Sequence, residues 1–536
     1  MIRVVVSDPM AAEGMDLLRQ SGLFEVVQVN GADKGALAEA LATAEALLIR
    51  SGTKATADVL AMAPRLRLVG RAGTGVDNVD VEAATRRGII VMNTPDANSI
   101  AAAELTWTLL LALVRNLVPA AVSLAAGKWE RAGFMGTELA GKTLGVVGFG
   151  RIGREVASRA RAFDMTVLVA DPFVTEEIAR AAGARLATLA ELIRESDIVT
   201  LHAPLTKSTK HLIGAPELAA MKPGARLINC ARGGLVDETA LQAALESGHL
   251  AGAALDVFEQ EPPPADHPLL SNPRVVAAPH LGASTREAQE NVSAELARQV
   301  LDYFRSGAVR NAVNMPGLSA EAYQKARPYL DLVERLGLLA GSLARGESWR
   351  RLSIDYRGEA ANMPLQAVTL AGLKGVLSTR AGDVVNFVNA RNKAQELQMD
   401  VVESFDPVPG DQPNRVRLAL ETESGTTSVE GTVIRGAEPR LVAIDGFDLE
   451  GVPVGPLIVL RNDDVPGVVG AIGGWLGSAG LNIARISWGR DRAGGTALTI
   501  IGLDLPATPE VVATIQADPR VRDVHAVQLP ARAPDC

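Results

Sequence analysis

Gly148-Phe-Gly-Arg-Ile-Gly153 is a GxGxxG sequence that follows an apolar run and opens a helical pattern. In that setting Gly148 permits a tight turn, Gly150 lets backbone approach a pyrophosphate, and Gly153 lets helix and strand pack closely. The phosphates then face the positive end of the helix. Asp171 ends the next apolar run, at the spacing of about 20 residues at which an acid reads the adenosine ribose. Its carboxylate accepts from the ribose hydroxyls and repels a 2′-phosphate, which favours NAD over NADP. The bland alternative is that Asp171-Pro172 is only a turn.

A dinucleotide site needs partners for its chemistry. Taking hydride from an alcohol carbon requires a base for the hydroxyl proton and a cation for a neighbouring carboxylate. His280 is the candidate base, since imidazole titrates near neutrality. Glu261 is its candidate partner, able to fix the tautomer and stabilise the imidazolium. Arg232, in Cys230-Ala-Arg-Gly-Gly234, can clamp a 2-oxo or 2-hydroxy carboxylate through two parallel hydrogen bonds. Each has a structural alternative: a packed histidine, a solvated charge ahead of Pro262-Pro-Pro264, and a surface cap. Cys230 reads as a small buried neighbour rather than a nucleophile. Asp256 either holds the nicotinamide carboxamide or is a buried structural acid, and His202 packs beneath the cofactor. Arg50, Lys54 and Arg131 together hint at an anionic tail on the substrate, although each alone reads as a solvated charge.

Six apolar runs must position these groups. They end at Gly148, Asp171, Ala203, Cys230, Asp256 and His280, and most are separated by helical patterns. Continuous apolar strands alternating with helices make a buried parallel sheet. All its strand ends then lie on one edge, where ligands bind. The first hundred residues repeat the pattern with five shorter strands. A helix over 100–117 leads into the nucleotide unit, and the chain after His280 is expected to return to the first unit. The expected domains are 1–98 with 282–315, 99–281, 317–453 and 455–530. The third mixes strands with helices after an amphipathic helix over 321–345. The fourth reads β-α-β-β-α-β.

Length favours three or four domains. The 536 residues are 47% hydrophobic and 21% charged, with a net charge of −9 and no block of like charge. That leaves no electrostatic footprint for nucleic acid or an anionic membrane. Cys230 and Cys536 cannot build a disulfide framework, and a reducing cytoplasm fits. The most apolar stretch, 105–114, is too short to span a bilayer and reads as a helix buried in a core or subunit interface. No metal site is expected.

Residues 1–315 resemble the D-isomer-specific 2-hydroxyacid dehydrogenases. The likeness rests on Ile49-Arg-Ser-Gly-Thr-Lys54, Gly70-Arg-Ala-Gly-Thr-Gly-Val-Asp77, Met92-Asn-Thr-Pro95, Gly127-Lys-Trp-Glu-Arg131, Asn229-Cys-Ala-Arg-Gly-Gly234, Ala254-Leu-Asp-Val-Phe258 and Pro279-His-Leu-Gly-Ala-Ser-Thr285. It implies an α/β chain, with a Rossmann-type nucleotide domain inserted in a flavodoxin-like substrate domain. An α+β intervening domain and a ferredoxin-like ACT domain, an amino-acid-sensing module, follow. It implies Arg232, Glu261 and His280 as the catalytic set. Thr74, Gly148, Gly150, Arg151, Ile152, Gly153, Asp171, Ala203, Cys230, Ala231, Asp256, Gly282 and Ala283 would line NAD. Arg50, Ser51, Thr74, Gly75 and Val76 would face the substrate with Arg232 and His280. The implied reaction is NAD-dependent oxidation of 3-phospho-D-glycerate, with L-serine as feedback effector. The alternatives are a glyoxylate or hydroxypyruvate reductase and a non-enzymatic NAD sensor. Asn462-Asp-Asp-Val-Pro-Gly467 and Gly480-Leu-Asn-Ile483 resemble an ACT ligand loop, implying Asn462, Asp464 and Asn482 as effector contacts. The best-known version of that loop has His where Asn462 stands and Asn where Asp464 stands. A homo-oligomer is expected, a dimer through the 100–114 helix or a tetramer through paired ACT modules.

Overall fold

The computed structural model describes residues 1–408 and 414–531. Cys536 lies outside the described residues, and Cys230 is a free, buried thiol.

The first sheet contains β1 (Ile2–Val6), β2 (Phe24–Gln28), β3 (Ala46–Ile49), β4 (Leu68–Arg71) and β5 (Ile90–Asn93). All are parallel, in the flavodoxin-like order β2-β1-β3-β4-β5. The central strand β3 (Ala-Leu-Leu-Ile) is apolar and buried throughout because both its faces are covered. Val4, Val6 and Leu48 enter one core while Val5, Leu47 and Ile49 enter the other, as the two-residue period of a strand requires. The helix Arg286–Ser306 covers the first of these faces with Val292, Leu296 and Val300. Gly70 admits it: a Cβ there would lie 2.8 Å from both Leu296 and Leu48. The chain then bridges to β5 through Met92 and Ala312, so the segment after His280 returns to the first sheet.

The second sheet holds β6 (Thr143–Val147), β7 (Thr166–Ala170), β8 (Arg185–Leu186), β9 (Ile198–Leu201), β10 (Arg226–Asn229), β11 (Gly252–Leu255) and β12 (Val275–Ala277). It is parallel, in the order β12-β11-β10-β9-β6-β7-β8, the dinucleotide arrangement with one further strand. The edge strand β8 escapes sequence reading because its two residues form no apolar run. The helix Ser99–Val114 buries Trp107, Leu109, Leu110 and Leu113 and is followed, after a 65° bend, by a second helix, Leu117–Ala125. Sequence reading gave one helix over 100–117 and missed the second, whose Leu117, Val122 and Leu124 are exposed. No single helix among the described residues is long and apolar enough to cross a membrane.

The third sheet has the order β14-β13-β15-β16-β17-β18, from β13 (Trp349–Arg357), β14 (Asp400–Asp406), β15 (Arg415–Thr422), β16 (Gly425–Ile434), β17 (Glu438–Ile444) and β18 (Phe447–Gly451). Helices Ala320–Leu343 and Leu365–Ala381 pack closely against each other because Gly337 and Gly375 bring backbones together. A Cβ on Gly375 would lie 2.1 Å from the Glu334 carbonyl. The fourth sheet is antiparallel, β20-β21-β19-β22, from β19 (Pro456–Asp463), β20 (Ile483–Arg490), β21 (Thr496–Leu503) and β22 (Val521–Gln528). This is a ferredoxin-like order. Its Val459, Leu498 and Ile500 share one core with Leu441 and Ile444 of the third sheet. Arg335, nearly fully buried, seals the junction by donating to the carbonyls of Pro453, Pro530 and Ala531.

Leu296→Ala would leave a cavity beside Gly70. It is expected to cost about 2–5 kcal/mol, read as a lower urea midpoint of unfolding. An unchanged midpoint would mean that the 286–306 helix is not held on the first sheet.

Candidate active site

The edge where the second sheet's strands end carries the expected nucleotide cradle. Gly148 has a φ of 90°, and a Cβ there would lie 2.6 Å from the His202 carbonyl. A Cβ on Gly153 would lie 2.2 Å from the Gly148 carbonyl, so the helix Arg151–Ala160 sits directly on the turn. No side chain caps that helix, and the Cβ position of Gly150 opens on free space. An uncapped helix start facing an open glycine turn fits a pyrophosphate. Asp171 accepts from the N–H of Phe149 at 2.8 Å and from that of Phe173 at 2.8 Å, which fixes the carboxylate beside the turn. Arg151 pairs with Asp96, while Ile152 is partly buried in the core behind the helix. Ala203 borders the turn, its amide 2.8 Å from a Cβ built on Gly148. The His202 Nε2 meets the Thr200 hydroxyl at 2.9 Å, and burial pushes the imidazole down to about 3. A ring held neutral in that way packs but does not exchange protons.

The triad residues meet at the same edge. The His280 Nδ1 lies 2.6 Å from Glu261 Oε2, and the other carboxylate oxygen of Glu261 accepts from the N–H of Phe258. The hydrogen bond to Glu261 raises the His280 pKa above its ordinary value, against the opposing effect of burial. Burial raises the Glu261 carboxyl, yet the bond and charge of His280 bring it below the usual range. β12 stops at Ala277, and His280 follows in a left-handed conformation with φ 56°. Asp256 holds that turn: its carboxylate accepts from the N–H groups of Leu281 and Gly282, and its carbonyl from that of His280. Asp256 is 1% exposed and its pKa is raised by burial. Both oxygens serve the turn, which fits a structural role, and each keeps a lone pair with which it could also hold a carboxamide. Ala283 accepts from Gln289 through its carbonyl.

Arg232 comes from the loop after β10. Asn229 braces that loop through the Ala231 amide and the Arg232 carbonyl. Cys230 is buried and its thiol is pushed up to about 12 by burial, so it is no nucleophile. The Arg232 guanidinium reaches across to the first domain, where Nε lies 2.9 Å from Asp77. The Gly73–Val76 turn is fixed by Thr94, which accepts from the Gly73 amide, by Asn98, which accepts from the Thr74 hydroxyl, and by Asn93, which donates to the Thr74 carbonyl. Arg50 sits in a loop whose amides at Arg50 and Thr53 are held by Asp8, while Ser51 is exposed.

Arg71, Asp77, Asp8 and Asn229 were missed as site residues. Arg71 ends β4, and its pKa falls to about 10 through burial and the neighbouring Arg232. Its place inside Gly70-Arg-Ala-Gly-Thr-Gly75, at a strand end, was the available signal. Lys54 and Arg131 are exposed. In the fourth sheet the three effector candidates are not gathered. Asn462 is buried beneath Thr499, and Asp464 accepts from Arg490 and the Gly494 amide. Asn482 donates to Asp504. The β19–β21 register puts Asp463 opposite Thr496 and Leu457 opposite Gly502. Asp464 is level with Gly495 and Asn482 with Asp504, so the two lie at opposite ends of the sheet, about 30 Å apart by strand rise.

A dinucleotide cradle beside an imidazole–carboxylate pair and a guanidinium defines an NAD-dependent dehydrogenase of 2-hydroxy acids. Residues 107–282 match the family model of the D-isomer specific 2-hydroxyacid dehydrogenase NAD binding domain, and residues 325–445 match that of the D-3-phosphoglycerate dehydrogenase intervening domain. A D-3-phosphoglycerate dehydrogenase of Bacillus subtilis is 41% identical over 99% of this chain and 100% of its own length. One of Methanocaldococcus jannaschii is also 41% identical, over 99% and 100%. Among solved structures, D-lactate dehydrogenase from Aquifex aeolicus, complexed with NAD and lactic acid, is 29% identical with a TM-score of 0.52, covering 59% of this chain and 100% of that one. A glyoxylate reductase from Paecilomyes thermophila is 31% identical with a TM-score of 0.54, covering 58% and 98%. The chain belongs to the D-3-phosphoglycerate dehydrogenase family.

Gly153→Ala puts a methyl group against the Gly148 carbonyl. NADH affinity is expected to fall about tenfold or more as helix and turn separate, measured by fluorescence titration. Wild-type affinity would place the pyrophosphate away from this turn.

Proposed function

We propose that the protein oxidises 3-phospho-D-glycerate to 3-phosphohydroxypyruvate with NAD, the first step of phosphorylated L-serine biosynthesis. The observation that carries the reading is the 2.6 Å His280–Glu261 pair beside Arg232, in a chain that matches its D-3-phosphoglycerate dehydrogenase relatives from end to end. NAD supplies the hydride acceptor when bound. The glycine turn and the start of the 151–160 helix would hold its pyrophosphate, and Asp171 its adenosine ribose.

With Nδ1 engaged by Glu261, the His280 Nε2 is left for the substrate hydroxyl. In oxidation the neutral ring accepts the hydroxyl proton at Nε2, and Glu261 stabilises the imidazolium that forms. In reduction the same atom returns the proton. Arg232 holds the carboxylate next to the reacting carbon. Arg71 and Arg50 add positive charge on the first-domain side of the cleft, which suits a substrate with a second anionic group. That excess favours a phosphorylated acid over glyoxylate, the substrate class of the reductase reading.

The regulatory part of the proposal is feedback by L-serine at the C-terminal sheet. Since Asp464 and Asn482 stand at opposite ends of one sheet, an effector touching both requires two copies side by side. A homo-oligomer supplies them, and the exposed apolar helix 117–125 offers a second surface for pairing.

His280→Ala is expected to lower kcat by about 10²–10⁴ while NADH binds as in the wild type. The assay follows 3-phosphoglycerate oxidation with glycerate as control; undiminished turnover would remove His280 as the base. The pH dependence has a definite sign. Oxidation needs neutral His280, so kcat/KM falls as pH drops through a pKa that Glu261 has raised. Glu261→Gln removes the charge responsible and moves the acidic limb to lower pH. An unmoved limb would assign that titration to another group.

A further inference from the structure

Arg232 is held at two of its three nitrogens before any substrate is present. Nη1 donates to the Ala231 carbonyl at 2.6 Å, and Nε forms the 2.9 Å ion pair with Asp77. The third nitrogen, Nη2, has no acceptor among the described residues and lies over Gly75. A Cβ built on Gly75 would be 2.0 Å from Nη2 and 2.6 Å from the Asp77 carboxylate. Only a glycine lets guanidinium and carboxylate close over the chain at that point. The N–H groups of Gly75 and Val76 also find no acceptor among the described residues. One guanidinium nitrogen and two amides are thus left at one spot of the cleft.

The charges around this spot would not hold it together alone. Arg71 and Arg50 come close enough to act on each other, and Arg232 acts on Arg71; Asp77 and Asp8 oppose them. Arg71 presses against Gly73, where a Cβ would lie 1.8 Å from its Nη1, so it cannot retreat. Arg232, a quarter exposed, can. With like charges in a partly dry cleft, the mobile guanidinium turns towards water unless a carboxylate restrains it.

We propose that Asp77 is the positioning residue of Arg232: from the opposite domain, it holds the guanidinium so that Nη2 meets the substrate carboxylate beside the Gly75 and Val76 amides. Asp77 need not touch the substrate. Its carboxylate preorganises the clamp, so its loss appears in substrate binding more than in turnover. The proposal rests on the reading of Arg232 as the carboxylate clamp.

The test is calorimetric titration of 3-phosphohydroxypyruvate into the enzyme–NAD complex, in which both partners are oxidised and no turnover occurs. Asp77→Ala is expected to weaken this binding about tenfold. KM for 3-phosphoglycerate should rise to match, with kcat changed less than about threefold and NAD affinity unaltered. Asp77→Asn keeps the shape but not the charge; if the alanine variant does not fold, a weakening of about threefold or more in the asparagine variant carries the same conclusion. Wild-type binding by either folded variant overturns the proposal, as does a parallel loss of NAD affinity, which would mark Asp77 as merely structural. Arg232→Ala in the same titration separates the two readings. Wild-type binding there removes the clamp itself, whereas weak binding there with no effect at Asp77 removes only the positioning role.

Discussion

A parallel sheet has one chemical edge, and this molecule depends on that constraint. Every strand from β6 to β12 runs the same way, so the segments following them are delivered to the same side. Gly148, Asp171, Ala203, Cys230, Asp256 and His280 lie at or just beyond those strand ends. The first sheet does the same with β3 and β4, whose ends carry Arg50 and Arg71. Two such edges facing each other make a cleft with a nucleotide cradle on one side and guanidinium groups on the other.

Acids temper the positive charge of the cleft without cancelling it. Glu261 raises the proton affinity of His280, and Asp256 fixes the turn that carries the imidazole. Asp8 holds the backbone around Arg50, and Asp77 faces Arg232 across the cleft. Arg232 and His280 each have an acid beside them, on the side away from the reacting position, whereas the Arg71 and Arg50 side chains form no ion pair among the described residues. Room therefore remains for an anionic substrate, and the buried Nε of Arg71 has no hydrogen-bond partner among the described residues.

Much of this was legible in the chain. Apolar strands such as Val4–Val6 and Ala46–Ile49 are visible because burial on both faces leaves no polar position. The glycine turn and Asp171 are visible because pyrophosphate and ribose recognition impose a spacing. The edge strand β8 and the helix Leu117–Ala125 were not read. The former is too short to show a period, and the latter is apolar yet buries nothing within one chain. Asp256 could be read two ways, and only its two backbone donors show how both oxygens are used.

Residue types and local spacing thus determined most of the strands but not β8, β14 or β18, together with the nucleotide turn and the candidate imidazole, carboxylate and guanidinium. Those features are short-range, because each depends on periodicity or on a motif a few residues long. The tertiary structure alone decided which acid faces which base: Asp77 with Arg232, Asp8 with the Arg50 loop, and Arg71 pressed into Gly73. It also decided that Asp464 and Asn482 stand apart. Such pairings join residues from different strands and domains, where electrostatics and close packing act through space and leave no period in the sequence.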